Sequence, residues 1–243
     1  MIHRGRYVAR VADTPEDIRA AQALRSLAFH GQGHGADDAD AFEHRFSHML
    51  VEEQATGHLV CCYRFLLLRS GAEIDNSYAA QSYDLAALSL RKEPMVELGR
   101  FCTRPGHHHP DMLRLAWAAL TAFVDAQGAE MLFGCASFAG TDPEHHRDSL
   151  ALLGRAHLAP DAWRPGVKAA EVTPLTPLDG RAFDEMRGMQ RMPALLRSYL
   201  QMGGRVSDHA VIDRDMNTCH VFVGVETRSI PPARKRLLRA LAG

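Results

Sequence analysis

Two long apolar segments, each interrupted by charged residues, most constrain the fold of this chain. Residues 58–69 (HLVCCYRFLLLR) and 95–103 (MVELGRFCT) have the composition of buried strands. Burial of a charge without a partner is strongly unfavourable, so a central strand keeps one only where it is paired or used. We therefore predict that Arg64, Glu97 and Arg100 belong to a functional site or to a buried ion pair.

The surrounding patterns predict one mixed α/β domain over residues 1–226, with a central β-sheet flanked by helices. A capping threonine, a proline and two acids at 14–17 start a helix that runs to about Phe29. The other expected elements are strands at 7–11, 48–53, 131–137, 206–212 and 220–225, helices at 111–127, from 141 onward and near 193–202, and an irregular region at 159–178.

Charge and hydropathy exclude several classes of function. The formal net charge is −1, which gives no general attraction to nucleic acid. No segment approaches the roughly 18–20 uninterrupted apolar residues of a membrane-spanning helix, and the first residues lack the apolar core of a signal peptide. We expect a cytoplasmic protein. Its basic amphipathic tail at 227–243 suits an acidic protein partner, peripheral contact with the anionic inner membrane, or plain solvation.

The cysteines and histidines do not have the spacing of a metal site. No C-x-x-C pair occurs, and we expect free thiols at Cys61, Cys62, Cys102, Cys135 and Cys219. Adjacent histidines, as at 107–109 and 145–146, point in different directions and have no partner at ligand spacing along a helix. We therefore predict no metal ion.

The glycine at position 99 suggests a chemical use for the second charged strand. Glycine inside a strand often marks a β-bulge, which would turn Glu97 and Arg100 to one side and expose backbone N–H groups. Acyl transfer to an amine needs a base and donors for the oxyanion. We predict Glu97 as the base, N–H groups near Gly99 as those donors, and Arg64 or Arg100 as the group that binds an acceptor's carboxylate. A buried ion pair between Glu97 and an arginine is the alternative.

Arg25 is expected to face inward, because its helical neighbours at three and four residues are mostly apolar, and an inward arginine needs an anion. Asp37, Asp38 and Asp40 follow in a glycine-rich loop. These carboxylates can bind a cationic side chain or be solvated, and their spacing alone favours solvation.

The junction after residues 95–103 bears on the acyl donor. It reads CTRPGHHHP, with two prolines and one glycine, where coenzyme A-dependent N-acetyltransferases typically carry a glycine-rich turn that binds pyrophosphate. A bare phosphopantetheine arm remains compatible with this junction, and we predict no other cofactor. The G-x-S-x-G motif of serine nucleophiles is also absent from the sequence.

Four stretches match a known family over about residues 20–226. They are the Asp40-containing loop that leads into HMLVEEQATGHLVCCYRF, the strand ELGRFC, the block LFGCASFAGTDP at 132–143, and the block MPALLRSYLQMGGRVSDHAVIDRDMNT at 192–218. On these motifs the chain resembles the ornithine N-acyltransferases of bacterial lipid synthesis, relatives of the N-acetyltransferase (GNAT) fold and of the acyl-homoserine lactone synthases.

The resemblance implies a GNAT-like fold and transfer of a 3-hydroxyacyl chain from acyl carrier protein to the α-amine of L-ornithine, giving lyso-ornithine lipid. By similarity to the lactone synthases, the site is formed by Arg25, Phe29, Asp38, Asp40, Arg64, Glu97 and Arg100. We add Gly99 as a catalytic position and Cys135 as a contact of the acyl tail. Residues 30–37 (HGQGHGAD) lack a tryptophan that the lactone synthases carry, which disfavours lactone formation.

Other functions stay open at this point. Relatives of this family acylate glutamine, and only the side-chain end of the acceptor differs; a cationic ornithine end would favour Asp38 or Asp40. A coenzyme A-dependent N-acetyltransferase and a non-catalytic acyl-binding module are the further alternatives. Arg104 and the basic tail are our candidates for docking an acidic carrier protein.

Overall fold

The computed structural model describes residues 1–31, 38–107, 109–176 and 182–240. The strands are β1 (Ile2–Arg4), β2 (Tyr7–Val11), β3 (Ser47–Glu53), β4 (Leu59–Leu68), β5 (Tyr83–Asp84), β6 (Met95–Thr103), β7 (Met131–Ala139), β8 (Gly166–Val167), β9 (Val172–Pro174), β10 (Arg205–Val206), β11 (His209–Asp213) and β12 (Thr218–Glu226). The α-helices are α1 (Pro15–His30), α2 (Ala86–Ser89), α3 (Pro110–Ala126), α4 (Arg147–Ala156), α5 (Glu185–Arg191), α6 (Ala194–Gln201) and α7 (Pro232–Ala240). Asp37, His108 and residues 241–243 of the predicted tail lie outside the described residues.

The chain divides into two compact units made of interleaved segments. The first unit contains Met1–Leu67, Val96–Ala129 and the chain from Pro232 onward, and the second contains Leu68–Met95 and Glu130–Pro231. The proposed boundary between a domain at 1–226 and a tail at 227–243 stays a prediction.

In the first unit a sheet lies between two helices. Its strands follow the order β1-β2-β3-β4-β6, and the pairs from β1 to β4 are antiparallel. On one face, Leu24 of α1 packs in a cluster with Leu50 and Cys62. On the other face, the Tyr63 hydroxyl donates a hydrogen bond to the Ala116 carbonyl of α3 at 3.0 Å. Apolar residues on both faces of β4 explain why it is central, as predicted.

Helix α1 begins where the sequence predicts. Thr14 and Asp17 form a capping box, with Pro15 in the first turn, and the helix ends at Gly31, whose φ is +82°. Arg10 of β2 donates two hydrogen bonds to the Asp17 carboxylate, at 2.7 and 2.6 Å. The start of α1 is thereby fixed to the sheet.

The second unit contains an antiparallel sheet in the order β7-β12-β11-β9, with β10 also paired to β12. The predicted strand at 206–212 is wrong as one element, because the Ser207 side chain accepts from the Phe222 N–H and donates to the His209 carbonyl, which interrupts the ladder. The predicted irregular region contains β8 and β9, and the helix expected from 141 begins as a 3-10 turn capped by Asp142. The sequence analysis missed α5.

The basic segment after residue 231 is a helix that packs on α3. Arg239 of α7 donates two hydrogen bonds to the Asp125 carboxylate, at 2.7 and 3.0 Å, and Leu238 is buried. All five cysteines are free thiols, as predicted. No helix in the described part of the chain combines the length and the apolar composition needed to cross a membrane.

Candidate active site

The pairing register of β3 and β4 places the first residues of the candidate site, in the first unit. His48 pairs directly with Arg64, so the two side chains share a face of the sheet. Helix α1 covers that face through Ala21 and Leu24, and Arg25 follows Leu24 along the helix. The sheet register and the helix phase therefore bring Arg25, His48 and Arg64 to the same buried region.

Arg25 is paired with carboxylates, as its inward position requires. Its guanidinium donates to the Asp38 carboxylate at 2.7 Å, to the Asp38 carbonyl at 2.5 Å and to the Glu43 carboxylate at 2.7 Å. Only 1% of Arg25 is exposed. Burial lowers the pKa of Arg25, but the carboxylates of Glu43 and Asp38 more than offset this and raise it. The arginine thus remains charged and holds the loop beside α1.

Arg64 binds Asp40 through two parallel hydrogen bonds, each 2.8 Å long. Its guanidinium also lies 4.8 Å from the centre of the Phe46 ring, and 1% of the residue is exposed. Burial favours the neutral form of Asp40, but the hydrogen bonds and charge of Arg64 outweigh burial and bring the pKa of Asp40 down to about 2. Asp40 is therefore ionised at neutral pH.

Arg100 joins the same carboxylates with longer contacts. Its guanidinium lies 3.3 Å from Asp40 and 3.6 Å from Asp38, and 5.9 Å from the centre of the Phe29 ring. Phe29 is 40% exposed at the end of α1. Arg25, Arg64 and Arg100 therefore share a single group of carboxylates.

Strand β6 departs from regular strand geometry in the predicted region, but it does so at Arg100 and not at Gly99. Arg100 has a φ of +52°, the left-handed conformation, whereas Gly99 has no positive φ. For a residue with a side chain this conformation costs about 1 kcal/mol, and inside a strand it is a mark of a β-bulge. Gly99 borders Arg64: a Cβ added at position 99 would lie 3.7 Å from the Arg64 side chain, an ordinary contact distance, so a methyl group fits there and a larger side chain would meet the arginine.

Glu97 lies in the regular part of β6, two residues before Gly99, and only 1% of it is exposed. A carboxylate in this position is sheltered from bulk water, and a change of backbone direction follows directly after it. The assignment of Glu97 as a base stays a prediction.

The sequence analysis missed Glu43 and His48. Glu43 accepts from Arg25 at 2.7 Å and lies 3.3 Å from the His48 ring. Burial lowers the pKa of His48, and the charges of Arg25 and Arg64 lower it further, against the raising effect of Glu43. The expectation that Asp38 and Asp40 are solvated is wrong, because three arginines compete for them. No charge imbalance in the predicted site pointed to these two residues, because its three arginines were matched in number by Asp38, Asp40 and Glu97.

Cys135 lies in the second unit. It is half-buried on β7, directly opposite Phe222 of β12. Its predicted contact with an acyl tail stays a prediction.

The start of α3 is capped by its own chain. The His109 ring nitrogen accepts a hydrogen bond from the Asp111 N–H at 3.2 Å, and Pro110 supplies no N–H. One donor that a pyrophosphate would need is therefore already used. Across residues 1–31, 38–107, 109–176 and 182–240, no three His, Cys, Asp or Glu side chains are grouped so as to hold a metal ion.

Comparison with known proteins gives the fold and the family. Residues 24–118 match the acetyltransferase (GNAT) domain model. The structure of FeeM, an N-acyl amino acid synthase from uncultured soil microbes, aligns with a TM-score of 0.50 at 12% identity, over 92% of this chain and 93% of that one. TofI aligns with a TM-score of 0.52 at 16% identity, over 96% and 99%. These likenesses confirm the predicted GNAT-like fold.

Comparison with curated sequences identifies the family more narrowly than the fold does. The L-ornithine N(alpha)-acyltransferase of Brucella abortus is 28% identical over 90% of this chain and 84% of the relative. The L-ornithine N(alpha)-acyltransferase of Rhodobacter capsulatus is 33% identical in an alignment that covers 92% of this chain and 91% of the relative. On this similarity the chain belongs to the L-ornithine N(alpha)-acyltransferase family.

Proposed function

We propose that this protein transfers a 3-hydroxyacyl chain from acyl carrier protein to the α-amine of L-ornithine, giving lyso-ornithine lipid and holo carrier protein. Membership of the family supports acylation of ornithine. The observation that carries the chemistry is the buried Glu97, placed on β6 just before the left-handed Arg100. A base and an interrupted strand are what amine acylation requires.

The reaction begins with the loss of a proton from the acceptor's α-ammonium group. Glu97 takes this proton, directly or through water, and the amine then attacks the thioester carbonyl. The C–N bond forms, the C–S bond breaks, and the phosphopantetheine sulfur leaves as a thiol with the second proton. Backbone N–H groups near Gly99 stabilise the oxyanion. One proton per turnover is released to solvent.

Arg100 is the arginine that binds the acceptor's carboxylate. Its contacts with Asp40 and Asp38, at 3.3 and 3.6 Å, are longer than the 2.8 Å bonds between Arg64 and Asp40. Longer ion-pair contacts are weaker, so an incoming carboxylate exchanges most easily at Arg100. Arg25 and Arg64 then hold the carboxylates that position Arg100.

Helix α7 is the proposed docking surface for the acidic carrier protein. Arg236 and Leu237 are both exposed on it, whereas Arg239 is bound to Asp125 and Arg104 donates to the Leu59 carbonyl. The same basic helix is the candidate for peripheral membrane contact.

Raising the salt concentration from 50 to about 200 mM should raise the KM for carrier protein, since exposed charges are screened over about 10 Å. A KM indifferent to salt would remove α7 from this role.

The central experiment is mass spectrometry of the products formed from 3-hydroxyacyl carrier protein and an equal mixture of ornithine, glutamine, lysine and homoserine. Acyl-ornithine is the expected main product. Acyl-glutamine as the main product would overturn the assignment of ornithine as the acceptor. Product formed from acetyl-coenzyme A as the sole donor would overturn the assignment of acyl carrier protein as the donor.

Replacing Glu97 by Gln tests the base. We expect kcat to fall by about 10²-fold or more, with the folded state retained because the substitution keeps the shape of the side chain. Glu130→Gln, at an exposed carboxylate, is the matched control and should leave kcat unchanged. Wild-type kcat in Glu97→Gln would rule out this base.

A further inference from the structure

Two thiols of the first unit lie in contact beside the arginine and carboxylate site. The sulfur atoms of Cys62 on β4 and Cys102 on β6 are 3.6 Å apart, and both residues are buried. Arg64 follows Cys62 by two residues, and Arg100 precedes Cys102 by two. Residues two apart in a strand point to the same face, so the Cys62 thiol lies on the face that carries Arg64. The proposed chemistry uses neither thiol.

The two cysteines are opposite each other on neighbouring strands. The Arg104 N–H donates to the Val60 carbonyl at 2.8 Å, and the contact between the cysteines lies two residues farther along β4 and two residues back along β6. Residue numbers therefore rise on one strand as they fall on the other, which is antiparallel pairing, and positions two apart repeat the same kind of pair. Hydrogen-bonded pairs of this kind have Cα atoms about 5.5 Å apart, within the range of about 4.4–6.8 Å that a disulfide spans.

Helix α1 covers the pair. The Cys62 thiol donates to the Ala21 carbonyl at 3.7 Å, and both cysteines pack in the cluster that contains Leu24 and Leu50. The hydrogen bond with Cys102 and burial raise the pKa of the Cys62 thiol. A thiol reacts with an oxidant as its thiolate, so the reaction of this pair should become faster as the pH rises. Because α1 covers the sulfur atoms, the oxidant must be a small molecule and not another protein.

We propose that Cys62 and Cys102 form a site of reversible oxidation, at which a hydroperoxide converts the two thiols to a disulfide and switches the enzyme off. The sulfur of one thiol attacks the terminal peroxide oxygen, the O–O bond breaks, and a sulfenic acid and an alcohol form; the thiol proton ends on the alcohol. The second sulfur then attacks the sulfenic sulfur, the S–S bond forms, and the hydroxyl leaves as water with the second thiol proton. Two thiols are oxidised and one hydroperoxide is reduced.

The disulfide acts on the site through the strands that carry Arg64 and Arg100. The sulfur atoms are 3.6 Å apart as thiols, and bonding at about 2.05 Å requires them to approach by roughly 1.5 Å. Arg64 is held to Asp40 by two hydrogen bonds of 2.8 Å, and the backbone of Arg100 is already left-handed. Misplacement of site residues by about 1 Å can lower a rate about 10²-fold. The effect on turnover rests on the proposed function, whereas formation of the disulfide does not.

Oxidation of the full chain by hydrogen peroxide tests the site without turnover. Peptide mass spectrometry under non-reducing conditions should find a cross-link between Cys62 and Cys102 in the wild type, formed faster at about pH 9 than at about pH 7 and removed by dithiothreitol. Cys102→Ala should form no disulfide at Cys62. The matched control is Cys219→Ala, which removes a buried thiol of the second unit and should leave the cross-link unchanged. No disulfide in the wild type, or a cross-link between other cysteines, overturns the proposal.

The acyltransferase assay then measures the consequence of oxidation. The kcat of the oxidised wild type should be about 10²-fold below that of the reduced protein and should return after dithiothreitol. Cys102→Ala should keep its own kcat through the same treatment. A cross-linked wild type with unchanged kcat, or an equal loss of kcat in Cys102→Ala, overturns the switch. Absence of acyl transfer in the reduced wild type would instead overturn the proposed function, and the mass spectrum would still decide whether the disulfide forms.

Discussion

Two groups of charged side chains, one in each unit, are arranged in opposite ways. In the first unit the guanidinium groups of Arg25 and Arg64 are buried and bonded to carboxylates at 2.7 to 2.8 Å. In the second unit the carboxylates of Asp75 and Asp84 line an open cleft and have no ion-pair partner among the described residues. Buried charges that are paired hold one another in position, and removing one partner is costly, whereas exposed charges at a cleft can be replaced with little effect on the fold.

The largest expected effect comes from breaking a buried pair. Arg64→Met leaves Asp40 without its two hydrogen bonds, and we expect the free energy of unfolding to fall by about 3–5 kcal/mol. Urea denaturation measures this change. Arg214→Met is the matched control, because it breaks a two-bond pair with Glu171 in which both side chains are at least half exposed, and should cost less than about 1 kcal/mol. Equal losses in the two variants would contradict the contrast between buried and exposed pairs.

A second test uses pH. The pKa of Asp40 is about 2 in the folded protein and about 3.9 in an unfolded chain. A lowered folded-state pKa stabilises the fold above pH 4, and this stabilisation is lost as the pH falls from about 4 to 2. The free energy of unfolding, measured over this window, should therefore fall more steeply in the wild type than in Asp40→Asn. Parallel curves for the two proteins would show that Arg64 does not shift Asp40 as described.

A smaller effect is expected at Gly99. Gly99→Val places a branched side chain against Arg64, and crowding of this kind costs about 1–3 kcal/mol. Gly99→Ala is the matched control, since its single Cβ meets Arg64 at an ordinary contact distance of 3.7 Å. Thermal unfolding and the kcat of both variants test the point. If the valine and alanine variants behave alike, a branched side chain at position 99 does not crowd Arg64.

The smallest effect is expected in the cleft. Asp75→Asn combined with Asp84→Asn should change the free energy of unfolding by no more than about 0.5 kcal/mol, because neither carboxylate takes part in an ion pair among the described residues. Urea denaturation of this double variant and of Arg64→Met measures the smallest and the largest expected changes in the free energy of unfolding. A loss of several kcal/mol would show that the cleft carboxylates are structural.

Local chemistry made part of this molecule predictable from its sequence. The capping residues at 14–17 located α1, and the apolar runs located β4 and β6. The apolar neighbours of Arg25 correctly predicted that it needs an anion. The identity of that anion was not predictable, because it depends on the phase of α1 over the sheet and on the pairing of His48 with Arg64. Both are set by contacts between distant parts of the chain.

The cleft escaped sequence analysis for a different reason. Its walls come from very short elements, such as β5, α2 and β8, which have too few residues for a hydrophobic period. Gly71 and Gly166 are the residues that shape it, and a glycine in a short segment looks like any turn residue until its neighbours in space are known.

The left-handed backbone of Arg100 also bears on which residue position 100 can hold. Glycine at position 100 would relieve a conformational cost of about 1 kcal/mol, but it would also remove the contacts of the guanidinium with Asp40 and Asp38. The same change removes the guanidinium proposed to receive the acceptor. Relief of the strained backbone at position 100 and retention of the proposed acceptor site therefore require different residues.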